Sequence, residues 1–394
     1  MKKKFGCLAM AMVMVLSLAA CGGKKEDAPA AAPAESGSDS SVSVFKVGTI
    51  GPLSGDAAIY GQAVANGAKI AVDEINAAGG AIQFELQSQD DEADGEKSVN
   101  AYNTLMDWGM QVMVGPTTTG ASIAVSAQAN ADRTFMLTPS ASSVDVIDGK
   151  DNVFQVCFTD PNQGVASADY ISANMAGAKV AVIYRNDDAY SQGIRDTFVS
   201  EAADKGLEVV YEGTFTADTA TDFSVQLTGA QSAGADTVFL PIYYQPASVI
   251  LNQANAMGYE PTFFGVDGMD GILTMEGFDT SLAAGVMLLT PFSADAEDAR
   301  TQTFVKAYQD QFGETPNQFA ADAYDAVYIY AAALEAAGCT ADMSSADICE
   351  ALVGIMTTIS VDGLTGQGMT WDASGAVSKA PMAVIIENGT YVLP

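Results

Sequence analysis

Residues 45–80, FKVGTIGPLSGDAAIYGQAVANGAKIAVDEINAAGG, hold the strand, loop and helix on which the fold turns. FKVGTIG (45–51) is an apolar run closed by Gly51-Pro52, as expected of a strand buried in a parallel sheet. From Ile59 to Ala78 the residues Val64, Ala68, Ala71, Val72 and Ile75 recur at helical spacing, and Gly79-Gly80 stops the helix. The next segment, AIQFELQS (81–88), alternates Ile82, Phe84 and Leu86 with Gln83, Glu85 and Gln87, a strand with one polar face.

The alternation continues. A helix around 95–108, the strand QVMVG (111–115), a helix near 120–131 and the strand TFMLT (134–138) follow. A second set begins with the strand AKVAVIY (178–184) and a helix over 191–205. LEVVYEG (207–213), a helix near 221–232, DTVFLPI (236–242), a helix near 246–257 and TFFGV (262–266) complete it. Beyond Pro291 the pattern predicts helices over 296–312, 318–337 and 344–356, then strands near 367–371 and 381–387. Strands alternating with helices imply parallel sheets covered on both faces, so the expected fold is α/β with two doubly wound domains.

The N-terminus addresses the chain to the outside of the cell. Lys2, Lys3 and Lys4 precede an apolar run from Phe5 to Ala20, the n-region and h-region of a secretory signal. Leu18-Ala19-Ala20-Cys21 looks like a bacterial lipobox, in which the cysteine receives a lipid. Residues 22–43 are rich in Ala, Pro, Ser and Gly and too poor in large apolar groups to form a core, so they read as a flexible tether. The formal net charge of −32 argues against nucleic acid and anionic lipid surfaces as partners. An extracellular setting permits a disulfide, and Cys339 and Cys349 flank the short stretch CTADMSSADIC; Cys157 reads as a buried free thiol.

In open parallel sheets, ligands bind beyond the carboxyl ends of the strands. Those positions carry GPLSG (51–55) with Tyr60, PTTTG (116–120), PSAS (139–142), RNDDAY (185–190), YYQP (243–246) and Asp267-Gly268. A helix N-terminus with hydroxyls around it suits a carboxylate, an acid suits an ammonium, and aromatic rings suit the remainder of a small ligand. The set sketches a site for a zwitterion. Each part also has a plainer use: Thr117–Thr119 and Ser140 as helix caps, Tyr190 and Tyr243 as packing at a domain edge, Asp267 as turn chemistry. Asp90-x-Glu92-x-Asp94-Gly95 imitates the start of a calcium loop, but Ala101 stands where the bidentate acid belongs, and no metal or cofactor is expected.

Taken in order, GPLSGDAAIYGQAVANGAKIAVDEINAAGG (51–80), DDEAD (90–94), VGPTTTGAS (114–122), LTPSAS (137–142), AYSQG (189–193), YYQP, GVDG (265–268) and TWDASG (370–375) resemble the leucine/isoleucine/valine-binding proteins. These are solute receptors of branched-chain amino-acid ABC importers, of the type I periplasmic-binding class. The resemblance implies two lobes joined by three crossovers that close like a flytrap on one amino acid. The N-terminal lobe would comprise 44–160 and 292–375, and the C-terminal lobe 161–291 and 376–394, behind a signal (1–20) and a lipidated tether (21–43). It places Thr119 on the carboxylate, Ser140 where a backbone carbonyl accepts from the ammonium, and Ser142 where a hydroxyl touches both charged groups. Asp267 falls on the acidic ammonium partner, a glutamate in the best-known members. Tyr60, Thr118, Ala141, Tyr190 and Tyr243 complete the binding set, with Tyr244 an alternative to Tyr243.

The implied protein is a monomeric receptor, lipid-anchored through Cys21 on the outer face of the cell membrane, that hands an amino acid to an ABC permease. An extracellular amino-acid or amide sensor for a signalling partner would present the same lobes. A secreted hydrolase is disfavoured: the chain has no histidine, which removes the usual base of a Ser or Cys nucleophile and the common zinc ligands.

Overall fold

The computed structural model describes residues 42–393, and the expected signal, the tether up to residue 41 and Cys21 lie outside them. The first sheet contains β1 (Ser43–Gly51), β2 (Ile82–Asp90), β3 (Val112–Val114), β4 (Phe135–Thr138) and β5 (Val153–Gln155), with α1 (Ala58–Ala78), α2 (Gly95–Trp108) and α3 (Thr119–Asp132) between them. Its order is β2-β1-β3-β4-β5 and every pairing is parallel. After β5 the chain crosses through α4 (Asp160–Asn174) into a second run: β6 (Lys179–Arg185), α5 (Ala189–Lys205), β7 (Glu208–Phe215), α6 (Ser224–Ser232), β8 (Thr237–Leu240), α7 (Tyr244–Met257), β9 (Thr262–Gly265) and β10 (Met287–Thr290). The chain then returns to the first sheet as α8 (Ala299–Phe312), α9 (Gln318–Ala337) and α10 (Ser345–Met356); α9 packs along α1, and α10 against β4. It crosses once more to add β11 (Met382–Glu387) and β12 (Thr390–Val392), antiparallel, to the second sheet, whose order is β12-β11-β10-β9-β8-β6-β7.

Apart from that antiparallel hairpin, both sheets have the same strand pattern. The order reverses between β1 and β3 in the first and between β6 and β8 in the second. A cleft opens beyond the carboxyl ends of the strands at such a reversal. Two glycines allow the close contacts this needs. Gly115 ends β3 at φ +123°, and a Cβ there would meet the carbonyl of Ile50 at 2.6 Å. Gly67 brings α1 against the backbone of Ala320 in α9, where a side chain would drive the helices apart.

Two expectations are corrected, and four elements are added. The strand near 367–371 does not form; that segment makes only single bridges, Val361 with Met369 and Trp371 with Val377. It is fastened by a side chain instead, the Trp371 indole donating to the Gln155 carbonyl at 2.8 Å. β5, α4, β10 and β12 are present without having been anticipated. Cys339 and Cys349 are not bridged but free and buried, as is Cys157. Each is held by its own helix end or face. Cys339 follows Gly338, the left-handed cap of α9, and its NH bonds the Leu334 carbonyl at 3.0 Å. Cys349 lies on the buried face of α10 with Ile348 and Leu352. Burial pushes both thiols up, Cys349 to about 11, so they act as small apolar core residues.

Candidate functional site

The loop after β3 meets the N-terminus of α3 with its donors unspent. Thr118 is the N-cap, extended at φ −95° and ψ 151°, yet its side chain makes no capping hydrogen bond. The hydroxyls of Thr118 and Thr119 are buried without a partner among the described residues. Other helices of this chain are capped in the ordinary way: Asp94 accepts from Lys97 NH, Thr159 from Asn162 NH, and Asp188 from Ser191 NH. Thr117 and Ser140 do not cap either. Thr117 donates to the Ile50 carbonyl at 3.2 Å, and Ser140 donates to the Thr117 carbonyl at 2.6 Å. Ser122 and Thr138 both donate to the Pro116 carbonyl at 2.8 Å. Four hydroxyls thus fix the loop, and two are left facing the cleft. Free NH groups, the positive end of the helix dipole and neutral hydroxyls together make an anion site without a cationic side chain.

The second sheet supplies the opposite wall. Tyr190, from the first turn of α5, donates to Asp267 Oδ1 at 2.6 Å and accepts from Gly268 NH at 2.9 Å. Its ring stacks on Tyr243, centroids 4.9 Å apart. Burial pushes the Asp267 carboxyl up to about 6, although the hydrogen bond from Tyr190 works the other way. Tyr60, from α1, crosses the cleft. Its hydroxyl donates to the Gly268 carbonyl and accepts from Tyr244 NH at 3.1 Å. Its ring meets Tyr243, Tyr244 and Phe319 edge-on at 5.4, 4.9 and 4.6 Å.

The cavity between these walls is about 10 Å³. Thr117, Thr118, Thr119 and Ser140 line it from the first sheet, and Tyr190, Tyr243, Asp267 and Gly268 from the second. Tyr60 and Phe319 close the remaining sides. Seven of the nine residues read from the sequence therefore meet at one cavity. Tyr243 is the tyrosine that faces it, while Tyr244 packs behind Tyr60 with its hydroxyl accepting from Ile59 NH at 3.4 Å. Ala141 and Ser142 do not line it. The Ala141 carbonyl accepts from Gln155 Nε2 at 2.8 Å, and Ser142 lies underneath, its carbonyl accepting from Asp160 NH at 2.9 Å.

Phe319 was not picked out of the sequence, nor was the support beneath the site. Gln318 Nε2 donates to the Asp267 carbonyl at 3.3 Å. Asp160, in the first turn of α4, is 1% exposed, and both its carboxylate oxygens lack a partner among the described residues. Burial pushes its carboxyl well above the usual range. The acids of the calcium-like stretch are spent on structure: Asp90 accepts from Leu53 NH at 2.8 Å and Ser54 Oγ at 2.6 Å, and Asp94 caps α2.

Two doubly wound sheets with a hydroxyl-rich helix end on one side of a cleft and buried tyrosines and an acid on the other define a solute-binding protein of the type I periplasmic fold. The chain belongs to the periplasmic binding protein family, whose model matches residues 44–390. It is 32% identical over 318 residues to Leu/Ile/Val-binding protein homolog 3 of Brucella melitensis, covering 78% of this chain and 82% of that one. Among solved structures it is similar to the branched-chain amino-acid transporter substrate-binding protein LivJ of Streptococcus pneumoniae in complex with isoleucine (31% identity, TM-score 0.78, 88% of this chain and 97% of that one). The leucine-binding protein LivK of Thermotoga maritima is a second such likeness, at 26% identity and TM-score 0.79 over 89% of this chain and 97% of that one. Family and relatives are substrate-binding proteins rather than enzymes.

Proposed function

We propose that this protein is a lipid-anchored extracytoplasmic receptor that captures a free amino acid, leucine, isoleucine and valine being the first candidates, and delivers it to an ABC importer. The observation that carries the reading is the pairing, across one small cavity, of the unpartnered Thr118 and Thr119 hydroxyls at the uncapped N-terminus of α3 with the Asp267–Tyr190 pair. The first end matches an α-carboxylate, the second an α-ammonium, and Tyr60, Tyr243 and Phe319 offer apolar ring faces to a hydrocarbon side chain. The names of the relatives point to the same ligand class.

A cavity of about 10 Å³ accepts roughly one water, so an amino acid is admitted only when the two sheets part and the bridges made by Tyr60 break. The sheet memberships support two lobes, 44–160 with 292–375 and 161–291 with 376–394, hinged at the three crossings. Cys21 and the tether that follows would hold this body beside a membrane permease.

Thermal shift and calorimetry against leucine, isovaleric acid and isoamylamine test the zwitterion reading. Leucine is expected to raise the melting temperature, and each singly charged analogue to bind at least about tenfold more weakly. Isovalerate binding as tightly as leucine, or no stabilisation by any amino acid, overturns it.

A further inference from the structure

Gln163 sits in the first turn of α4, fully buried, where the chain crosses from the first sheet to the second. Its Oε1 accepts from the backbone NH of Asp267 at 3.1 Å, beyond the end of β9. Its Nε2 donates to Ser142 Oγ at 3.5 Å, beyond the end of β4. One amide therefore touches both sheets directly behind the cavity.

The chemistry fixes which way round this amide must lie. A backbone NH can only donate, so the oxygen of Gln163 faces Asp267 and its NH₂ faces Ser142. Ser142 Oγ then accepts, which leaves its proton free to donate. The group beside it is the Asp160 carboxylate, three residues before Gln163 on the same helix face. The polarity runs in one direction: Asp267 NH to Gln163, Gln163 to Ser142, and the Ser142 hydroxyl outward.

We infer that Gln163 is a positioning residue that holds the backbone of Asp267, and so the placement of its carboxylate, for an ammonium-bearing ligand and ties that placement to Ser142 beyond the end of β4. The inference rests on the reading of Asp267 as the ammonium partner. Asp267 is surrounded by Tyr190 from α5, Tyr243 ahead of α7, Tyr60 from α1, Cys157 ahead of α4, Asp160 from α4 and Asp322 from α9, the last paired with the buried Lys379 at 2.6 Å. Asp267 itself makes no ion pair among the described residues. The hydrogen bond of Tyr190 to Asp267 Oδ1 favours the charged form against burial and against Asp322, whereas Gln163 holds the backbone NH of Asp267.

The test is the affinity for leucine between pH 5 and 8, measured by calorimetry on the mature protein. In the wild type, affinity falls as Asp267 takes up its proton near pH 6, by about tenfold from pH 7 to pH 5. Gln163→Met keeps the volume and removes both hydrogen bonds. It is expected to weaken binding several-fold across this range while the midpoint stays near that of the wild type, because the bond lost is to the Asp267 backbone and not to its carboxylate. Ser142→Ala, a smaller change that frees only the Nε2 end, weakens binding in the same way and by less. It carries the test if Gln163→Met fails to fold. Asp267→Asn is expected to flatten the profile. A flattened Asp267→Asn profile with wild-type affinities in the Gln163 and Ser142 variants overturns this inference alone. An Asp267→Asn protein that binds leucine as the wild type does overturns the ammonium reading, and this inference with it.

Discussion

Tyr60→Phe removes one oxygen and should act on closure rather than on the fold. The ring keeps its edge contacts with Tyr243, Tyr244 and Phe319, so little packing is lost. What goes is a hydroxyl that donates to the Gly268 carbonyl and accepts from Tyr244 NH. In the closed molecule those two backbone groups then face each other in a buried space. In an open molecule water satisfies both, so the cost falls on the closed state alone. At about 1 kcal/mol for each of two hydrogen bonds, the closed form loses about 2 kcal/mol relative to the open one. If ligand is held only in the closed form, that difference is about a thirtyfold loss of affinity. Calorimetry with leucine reads the affinity, and small-angle scattering with and without ligand reads closure. The melting temperature of the ligand-free protein, which reports folding, should change far less than the affinity. An unchanged dissociation constant, or an equal loss in affinity and in the stability of each lobe, would refute the assignment of Tyr60 as a bridge.

Thr119→Val removes a buried hydroxyl that has no partner, so the ligand-free protein should gain stability while affinity for an amino acid falls about tenfold; equal losses in both would show the hydroxyl to be structural. Asp160→Asn should raise the melting temperature above pH 5, by roughly 1–3 kcal/mol of unfolding free energy. The sign follows from burial, which raises the folded-state pKa of Asp160: its favourable contribution is complete below the unfolded carboxyl range and is lost as pH rises through the folded value. The variant and the wild type should therefore converge near pH 3.5, and a constant gap across pH would sink the argument. Cys157, Cys339 and Cys349 should resist alkylation in the native protein and react together on unfolding, without reductant; a pair that reacts only after reduction would restore the bridge.

Strand and helix alternation made both sheets legible, because parallel strands buried on both faces are short apolar runs that end at Gly or Pro. It failed where the pattern was weak. α4 reads DPNQGVASADYISAN, nearly all small or polar, so its periodicity gives no signal although its buried face carries Gln163, Gly164, Ala168 and Ile171. With it went Asp160 and Gln163. The search beyond strand ends found most of the cavity because the ligand crevice of such sheets is made of those loops. Phe319 escaped the search because it belongs to α9, which returns from the second sheet and reaches the site by its N-terminus. The rule also named a loop and not a direction: of PSAS only Ser140 faces the cavity, while Ala141 and Ser142 turn inward to Gln155 and Gln163.

The unsatisfied groups are distributed in a way that explains why ligand should be needed for stable closure. Away from the cleft, α8 and α10 begin with capped NH groups, although α6 starts uncapped and buried atoms such as Asn152 Oδ1 and Ser167 Oγ also lack partners among the described residues. At the cleft, α3 and α7 start uncapped, two threonine hydroxyls lack partners, and two acids are buried without a cation beside them. Each of these disfavours a closed cleft with nothing in it, by about 1–3 kcal/mol for a buried unpaired group. An amino acid changes the sign of most of them at once, its carboxylate taking the α3 donors and its ammonium offsetting Asp267. A cleft whose own groups were all satisfied would close equally well empty, and a ligand can shift the equilibrium only through contacts that differ between the two states. The polar atoms left unpaired around Thr118, Thr119 and Asp267 are therefore where the coupling between capture and closure resides.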